Sequence, residues 1–227
     1  MALVEHMNTE TRRSAQRIVG ALAKSIRERD RITYEHPRRV ATYAQRLARS
    51  MGWPRKLAYD LALSALVHDL GKTWIENEVL HKESALSTQE RTLMERHPQI
   101  GARILEMYGA PRLIVEAVLH HHEAFDGRGY PDRLTGDTIP IAARLLSVAD
   151  TFDALTSERP YKAALDCQQA AAHIQSSAGT YFDPWVVAAF LALLESWPDF
   201  LVPRHAAPLP PEPAARPNIW SHDDLAG

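Results

Sequence analysis

His68 and Asp69 stand side by side at the end of an apolar stretch, His97 and the triplet His120, His121 and His122 close two others, and Asp150 and Asp153 lie three residues apart further on. Seven of the eleven histidines fall between His36 and His122, a clustering that needs a cause. Neutral imidazole is the commonest metal ligand, and a chain whose one cysteine is Cys167 must build a metal site from histidine and carboxylate. An unpaired carboxylate at the end of a buried helix is costly, and a cation removes that cost. Neighbouring helical positions diverge by about 100°, so His68 and Asp69 do not easily chelate one ion side by side; an aspartate can instead bridge two ions while the histidine holds one. Three consecutive helical histidines span about 200°, so at most two of the triplet face the same metals and the third is structural or exposed. Asp153 lies one turn from Asp150 on the same face. Ligands arriving from several helix ends are what a dinuclear site requires. The plainer alternatives are a His68–Asp69 pair bonded to backbone and a salt bridge at Asp153.

The elements that must position these groups are all helical. Residues 11–27 carry Ile18, Leu22 and Ile26 on one face, and residues 34–51 repeat the pattern with Val40, Tyr43, Ala44, Leu47 and Ala48 before Gly52 and Pro54. Residues 55–70 are apolar all round, the mark of a buried helix, and bear His68 and Asp69 at their end. Ser87 and Glu90 have capping-box spacing and open a helix to His97, while Pro98 suits the first turn of the next helix through Leu105. Pro111 starts a helix through His122, residues 125–138 have loop composition, and Pro140 opens a helix to Thr156. Weaker patterns cover residues 167–176 and 183–194. With no strand alternation, the expected class is all-α.

The organisation is an N-terminal segment with a first helix at 1–30, one domain at 31–200 and a Pro-rich arm at 201–227. The arm has six prolines between 203 and 217, and the apolar pair Ile219 and Trp220 beyond them either docks or belongs to a loose tail. At 227 residues with 45% hydrophobic content the chain can bury one real core. A net charge of −2 supplies no field to capture a nucleic acid polymer or an anionic membrane, so any anionic ligand must be held locally. The apolar run at 185–194 is half the ~20 residues of a membrane span, and the N-terminus is too polar for a signal peptide. A single cysteine fits a reducing compartment, which makes the cytoplasm the expected location.

Four segments, HDLGK at 68–72, HPQIGARIL at 97–105, HHEAFDGRGYP at 121–131 and VADTFDALTSERPYK at 148–162, resemble the HD-GYP phosphodiesterases of the HD-domain superfamily, in the family's order. That family cleaves the bacterial second messenger cyclic di-GMP. The resemblance, covering residues 31–194, implies an HD-domain helical bundle with metal ligands at His36, His68, Asp69, His97, His121, His122 and Asp150. His36 rests on this resemblance alone, through HPRRV at 36–40. It further implies two divalent metals, iron or alternatively manganese, and phosphate contacts from Lys72, Arg159 and Lys162. Asp153 is expected to orient water on a metal or to bind substrate. Tyr130 and the loop of residues 127–131 are expected to shape the substrate pocket, to contact messenger-synthesising domains, or simply to end a helix. The chemistry implied is in-line attack of hydroxide on phosphorus, with Asp69 holding both ions and Lys72 neutralising a nonbridging oxygen, to give linear pGpG and in some cases GMP.

Two departures bear on this expectation. Where some members place a glutamate that holds a third metal, this chain has Ile32, which cannot ligate; two metals and pGpG are therefore expected. After HDLGK the family's usual glycine and proline–aspartate pair give way to Trp74, Glu76 and Asn77, and Trp74 is a candidate to stack on a guanine or to pack. The rival functions are a phosphohydrolase acting on another cyclic dinucleotide or on a mononucleotide, and a receptor that binds the messenger without turnover. The full set of ligands argues against the receptor. A homodimer is compatible with either enzyme.

Overall fold

Val40, Ala41, Ala44, Leu47 and Ala48 recur at helical spacing and are all buried, so helix α1 (Glu35–Ser50) lays one stripe on the core and leaves its opposite face to water. In contrast α2 (Arg55–Val67) is buried almost all round from Ala58 to Val67, and it packs against α1, α6 and α7 at the centre of the molecule. A 3₁₀ turn (Leu70–Trp74) follows, then the short α3 (Asn77–Leu80), α4 (Thr88–Met94), α5 (His97–Met107), α6 (Arg112–His120), a second 3₁₀ turn (Gly136–Thr138), α7 (Ile141–Thr156), α8 (Cys167–Ser176) and α9 (Pro184–Glu195). This computed structural model describes residues 17, 19–22, 35–82, 84–158 and 163–197. Among them the only β-type pairing is an isolated bridge between Ala178 and Phe182, which agrees with the all-α expectation. No helix among the described residues is long and apolar enough to cross a membrane.

Sequence signals for helix ends are realised at several points. Ser87 and Glu90 form the expected reciprocal capping box, Pro98 occupies the first turn of α5, and Pro111, Pro140 and Pro54 each immediately precede a helix. Three boundaries differ from expectation. The central helix stops at Val67 and α6 at His120, so His68, Asp69, His121 and His122 lie in turns just past helix ends, and His97 opens α5 instead of closing the helix before it. Of the expected first helix, residues 17 and 19–22 are helical, and Val19 and Leu22 join the core; the remainder of it, Ile32 and the Pro-rich arm lie outside the described residues.

Two packing features aim the site. Phe152 on α7 is fully buried, with its ring 5.5 Å from that of Tyr43 on α1 and 5.1 Å from that of Phe190 on α9. It locks the helix that carries Asp150 and Asp153, and Phe152→Ala would cost about 3–5 kcal/mol. Gly71 lets the first 3₁₀ turn lie directly on the start of α5, since a Cβ there would come within 2.0 Å of the His97 carbonyl oxygen.

Candidate metal centre

Three of the histidines are oriented by one local device. The last carbonyls of a helix have no intrahelical partner, and a side chain just past the end can satisfy them. His68 Nδ1 lies 2.7 Å from the Ala65 carbonyl, His97 Nδ1 2.8 Å from that of Met94, and His121 Nδ1 2.7 Å from that of Val118. A carbonyl only accepts, so each Nδ1 carries the proton and donates, and each Nε2 presents a lone pair towards the interior. The sequence position of these residues, three beyond the carbonyl they bind, thus sets both tautomer and direction.

The lone pairs meet in two groups. His36, His68 and Asp69 form one, and His97, His121 and His122 the other, each with its donor atoms within 4.8 Å of one another. Asp150 joins the first, its Oδ1 being 3.2 Å from His36 Nε2 and 3.6 Å from His68 Nε2. Asp69 lies between the groups: Oδ2 is 3.4 Å from His68 Nε2, and Oδ1 is 3.4 Å from His97 Nε2. All seven ligands expected from the resemblance are therefore gathered in one place, His36 included.

Behind His36 stands a buried carboxylate. Asp153 is fully buried; it accepts from His36 Nδ1 at 2.7 Å, from Arg39 Nε at 2.6 Å and from Arg39 Nη2 at 3.0 Å. Its expected place beside water or substrate is thus corrected towards the plainer salt bridge: its oxygens are taken, and it acts through the imidazole that it orients. Arg39, which also reaches Ser157 Oγ at 2.8 Å, was not anticipated. The available signal was its place one helical turn beyond His36.

The electrostatics of the two groups diverge. Burial alone would lower the His36 pKa, but hydrogen bonds and charge from Asp150 and Asp153 lift it to about 9. Asp150, against the effect of burial, is held at about 2 by the His36 bond and by His68, and Asp69 is held well below the usual carboxylate range by His68, Lys72 and His97. In the other group burial and mutual repulsion lower His121 strongly and take His122 to about 3, and burial also lowers His97 despite Asp69.

These residues fit divalent cations. The Oδ1 of Asp69 is buried without a hydrogen-bond partner. His97 Nε2 and His121 Nε2 face each other at 3.4 Å while both Nδ1 protons are committed to carbonyls, and burial opposes an added proton on either ring. Converging lone pairs and an orphaned carboxylate oxygen are what a cation satisfies. The donor set of imidazole and carboxylate admits iron, manganese or zinc.

Around this centre Lys72 Nζ donates to Asp69 Oδ2 at 2.7 Å. Tyr130 lays its ring 4.9 Å from that of His122 at an interplanar angle of 30°, and its N–H donates to the His122 carbonyl. Gly129 permits this fold-back, because a Cβ there would come within 2.2 Å of the Ala124 nitrogen. Glu123, another residue not anticipated, holds the same loop by accepting from the backbone N–H groups of Asp132 and Leu134 at 2.8 and 3.1 Å. Trp74 is 63% exposed at the end of the first 3₁₀ turn, so it is not a packing residue. Arg159 and Lys162 lie outside the described residues.

Among the described residues the chain is an all-α bundle whose histidines and carboxylates converge from helix ends into groups that could hold metal ions. A profile described as HD domain matches residues 20–186, and the chain belongs to that family. It is 35% identical over 205 residues to 3'3'-cGAMP-specific phosphodiesterase 2 of Vibrio cholerae, covering 89% of this chain and 39% of that protein. It is 37% identical over 193 residues to the cyclic di-GMP phosphodiesterase response regulator RpfG of Xanthomonas campestris, with coverages of 83% and 50%. A cyclic di-GMP phosphodiesterase of Thermotoga maritima is 39% identical over 167 residues, with coverages of 73% and 45%. The chain thus spans half or less of the length of these relatives. Among solved structures, the V. cholerae phosphodiesterase V-cGAP3, specific for cyclic GMP-AMP, matches with a TM-score of 0.57 at 21% identity over 74% of this chain and 45% of that one. The HD domain of the Listeria monocytogenes phosphodiesterase PgpH in complex with cyclic-di-AMP matches with a TM-score of 0.57 at 16% identity over 81% and 98%. At these identities the structural matches speak to the fold.

Proposed function

We propose that this chain is a metal-dependent phosphodiesterase that hydrolyses cyclic di-GMP to linear pGpG. The observation that carries the proposal is Asp69, placed between two histidine groups with one oxygen towards each and the Lys72 ammonium beside it. His36, His68, Asp69 and Asp150 would hold one divalent ion, and Asp69, His97, His121 and His122 the other, with iron first and manganese second. When bound, such ions lower the pKa of water and neutralise phosphoryl charge. The chain's own contributions are positional. Backbone carbonyls at three helix ends keep the Nε2 lone pairs aimed inward, and the buried Asp153–Arg39 pair keeps His36 turned towards Asp150. Lys72 supplies a fixed positive charge for a nonbridging phosphate oxygen, and Arg159 and Lys162 are proposed as further phosphate contacts. Tyr130 and the exposed Trp74 offer rings to the guanines. With Ile32 in place of a further carboxylate, two ions and a single ring-opening cleavage are proposed, so GMP is a minor product.

A second reading is favoured by the relatives named for 3'3'-cGAMP: the same centre would cut a mixed cyclic dinucleotide, with the base chosen outside the metal ligands. The complete ligand set stands against a receptor without turnover. A reducing cytoplasmic setting, a homodimer and contact of the loop of residues 127–131 with messenger-synthesising domains complete the proposal.

The test is anaerobic turnover by protein loaded with ferrous iron or manganese, with cyclic di-GMP and 3'3'-cGAMP offered singly and in competition, products separated chromatographically and Asp69→Ala as control. Linear pGpG from the wild type alone is expected. GMP as the main product would sink the two-ion argument, preference for the mixed dinucleotide would select the second reading, and tight binding with no product would select the receptor.

A further inference from the structure

We propose that His120, Glu123 and Asp132 form a separate cation site that ties the loop of residues 127–135 to the end of α6. His120 turns away from the residues that His121 and His122 join. It is 9% exposed, and its Nδ1 is buried with no hydrogen-bond partner. Two carboxylate oxygens face that nitrogen, Glu123 Oε1 at 3.7 Å and Asp132 Oδ2 at 3.7 Å. Both separations are too long for a hydrogen bond. They match donors that share an ion, because ligands bound at about 2.0–2.2 Å stand about 3.0–3.7 Å apart across angles of roughly 90–120°. The donor atoms of the three residues lie within 4.8 Å of one another.

The surroundings are built for this role. Glu123 is 3% exposed and already fixed by the backbone N–H groups of Asp132 and Leu134, and each of its oxygens keeps a further lone pair. Asp132 is half exposed, which leaves an entry path and room for water to complete the coordination. One imidazole nitrogen and two carboxylate oxygens with an open fourth position suit zinc. The site uses none of the seven ligands of the central group and does not depend on the phosphodiesterase reading. Its consequence is mechanical: a cation here pins the middle of the loop, at Asp132, to the end of α6 and so holds the segment that lays Tyr130 on His122.

The test is to equilibrate metal-free protein with zinc sulfate, desalt it, count bound zinc by elemental analysis, and follow trypsin cleavage after Arg128 and Arg133 within the loop. Asp132→Ala and His120→Gln should each bind one equivalent less than the wild type, while zinc held elsewhere stays common to all three and cancels in the difference. At zinc a hundredfold above its dissociation constant, cleavage that requires the loop to open should slow about 100-fold in the wild type and be unprotected in Asp132→Ala. The same zinc content in all three proteins, with cleavage unaffected by zinc, would overturn the site.

Discussion

The two halves of the central group contain the same ring three times over in one case and an alternation of acids and bases in the other. His36, His68, Asp69 and Asp150 compensate one another, with His36 lifted to about 9 by its carboxylates and Asp150 held at about 2 by its histidines. His97, His121 and His122 are crowded, buried neutral donors, with Asp69 reaching the group through His97. The difference teaches that the first half is held together by its own charges, whereas the second is an array of lone pairs that a cation would reconcile.

The largest expected effect comes from removing the residue both halves share. Asp69→Ala should lose bound metal from both sides, and turnover should fall by about 10³-fold or more, since bound ions supply several kcal/mol to such reactions. Elemental analysis beside a phosphodiesterase assay checks this, and an active metal-free variant would sink the scheme. His97→Ala should break the comparison on one side only, with the metal content falling by one equivalent. Loss of both ions would mean the halves are not separable. Asp153→Asn keeps the side-chain shape but removes the charge behind His36, so metal affinity of the first half should weaken about 10–100-fold while the second half is unaffected. Equal weakening in both halves would argue for a general structural role.

The charge difference also predicts a pH profile for the metal-free protein. His36 is raised in the folded state, so the stability it contributes is complete below about 6.5 and is lost as pH rises through about 9. His122 is depressed to about 3, so folding is opposed progressively as pH falls below about 6.5. Thermal stability should therefore peak near pH 6.5, each limb amounting to about 2–4 °C per kcal/mol. His122→Ala should make the acid limb shallower, with His97 and His121 still contributing to it, and leave the alkaline limb unchanged; a profile with no maximum in the wild type would refute the electrostatic contrast. The smallest effect is expected far from both halves: Ser87→Ala removes the capping box of α4, should cost about 1 kcal/mol in thermal unfolding, and should leave metal content unchanged.

Much of this arrangement was legible from particular residues. The apolar circumference of α2, the stripe Val40–Ala44–Leu47 and the prolines before α2, α6 and α7 specify helices through local chemistry. The helical sweep expected for His120, His121 and His122 leaves room for two of them in one group, and the structure gathers His121 and His122 with His97, although these two lie in the turn past α6. What was not legible involves partners distant in the chain. Asp153 and Arg39 are 114 residues apart, and no local pattern says that Asp153 faces inward to meet His36 and Arg39 instead of the substrate side. The sequence does not distinguish a structural from an exposed His120, because its neighbour Asp132 comes from a loop whose path periodicity does not describe.

By itself, then, the sequence determined the helical class, the helix starts marked by Ser87, Pro111 and Pro140, and the inventory of histidines and carboxylates, because propensity, capping and periodicity act over a few residues. The structure adds the tautomers of His68, His97 and His121, which follow once the helix ends are known, since the carbonyl each ring meets lies three residues back. Tertiary structure decided which of those groups share a centre, that Asp69 stands between the two halves, and that Asp153 bonds His36. Those outcomes depend on how α1, α2, α5, α6 and α7 pack, and packing is a property of the whole core that no local segment encodes.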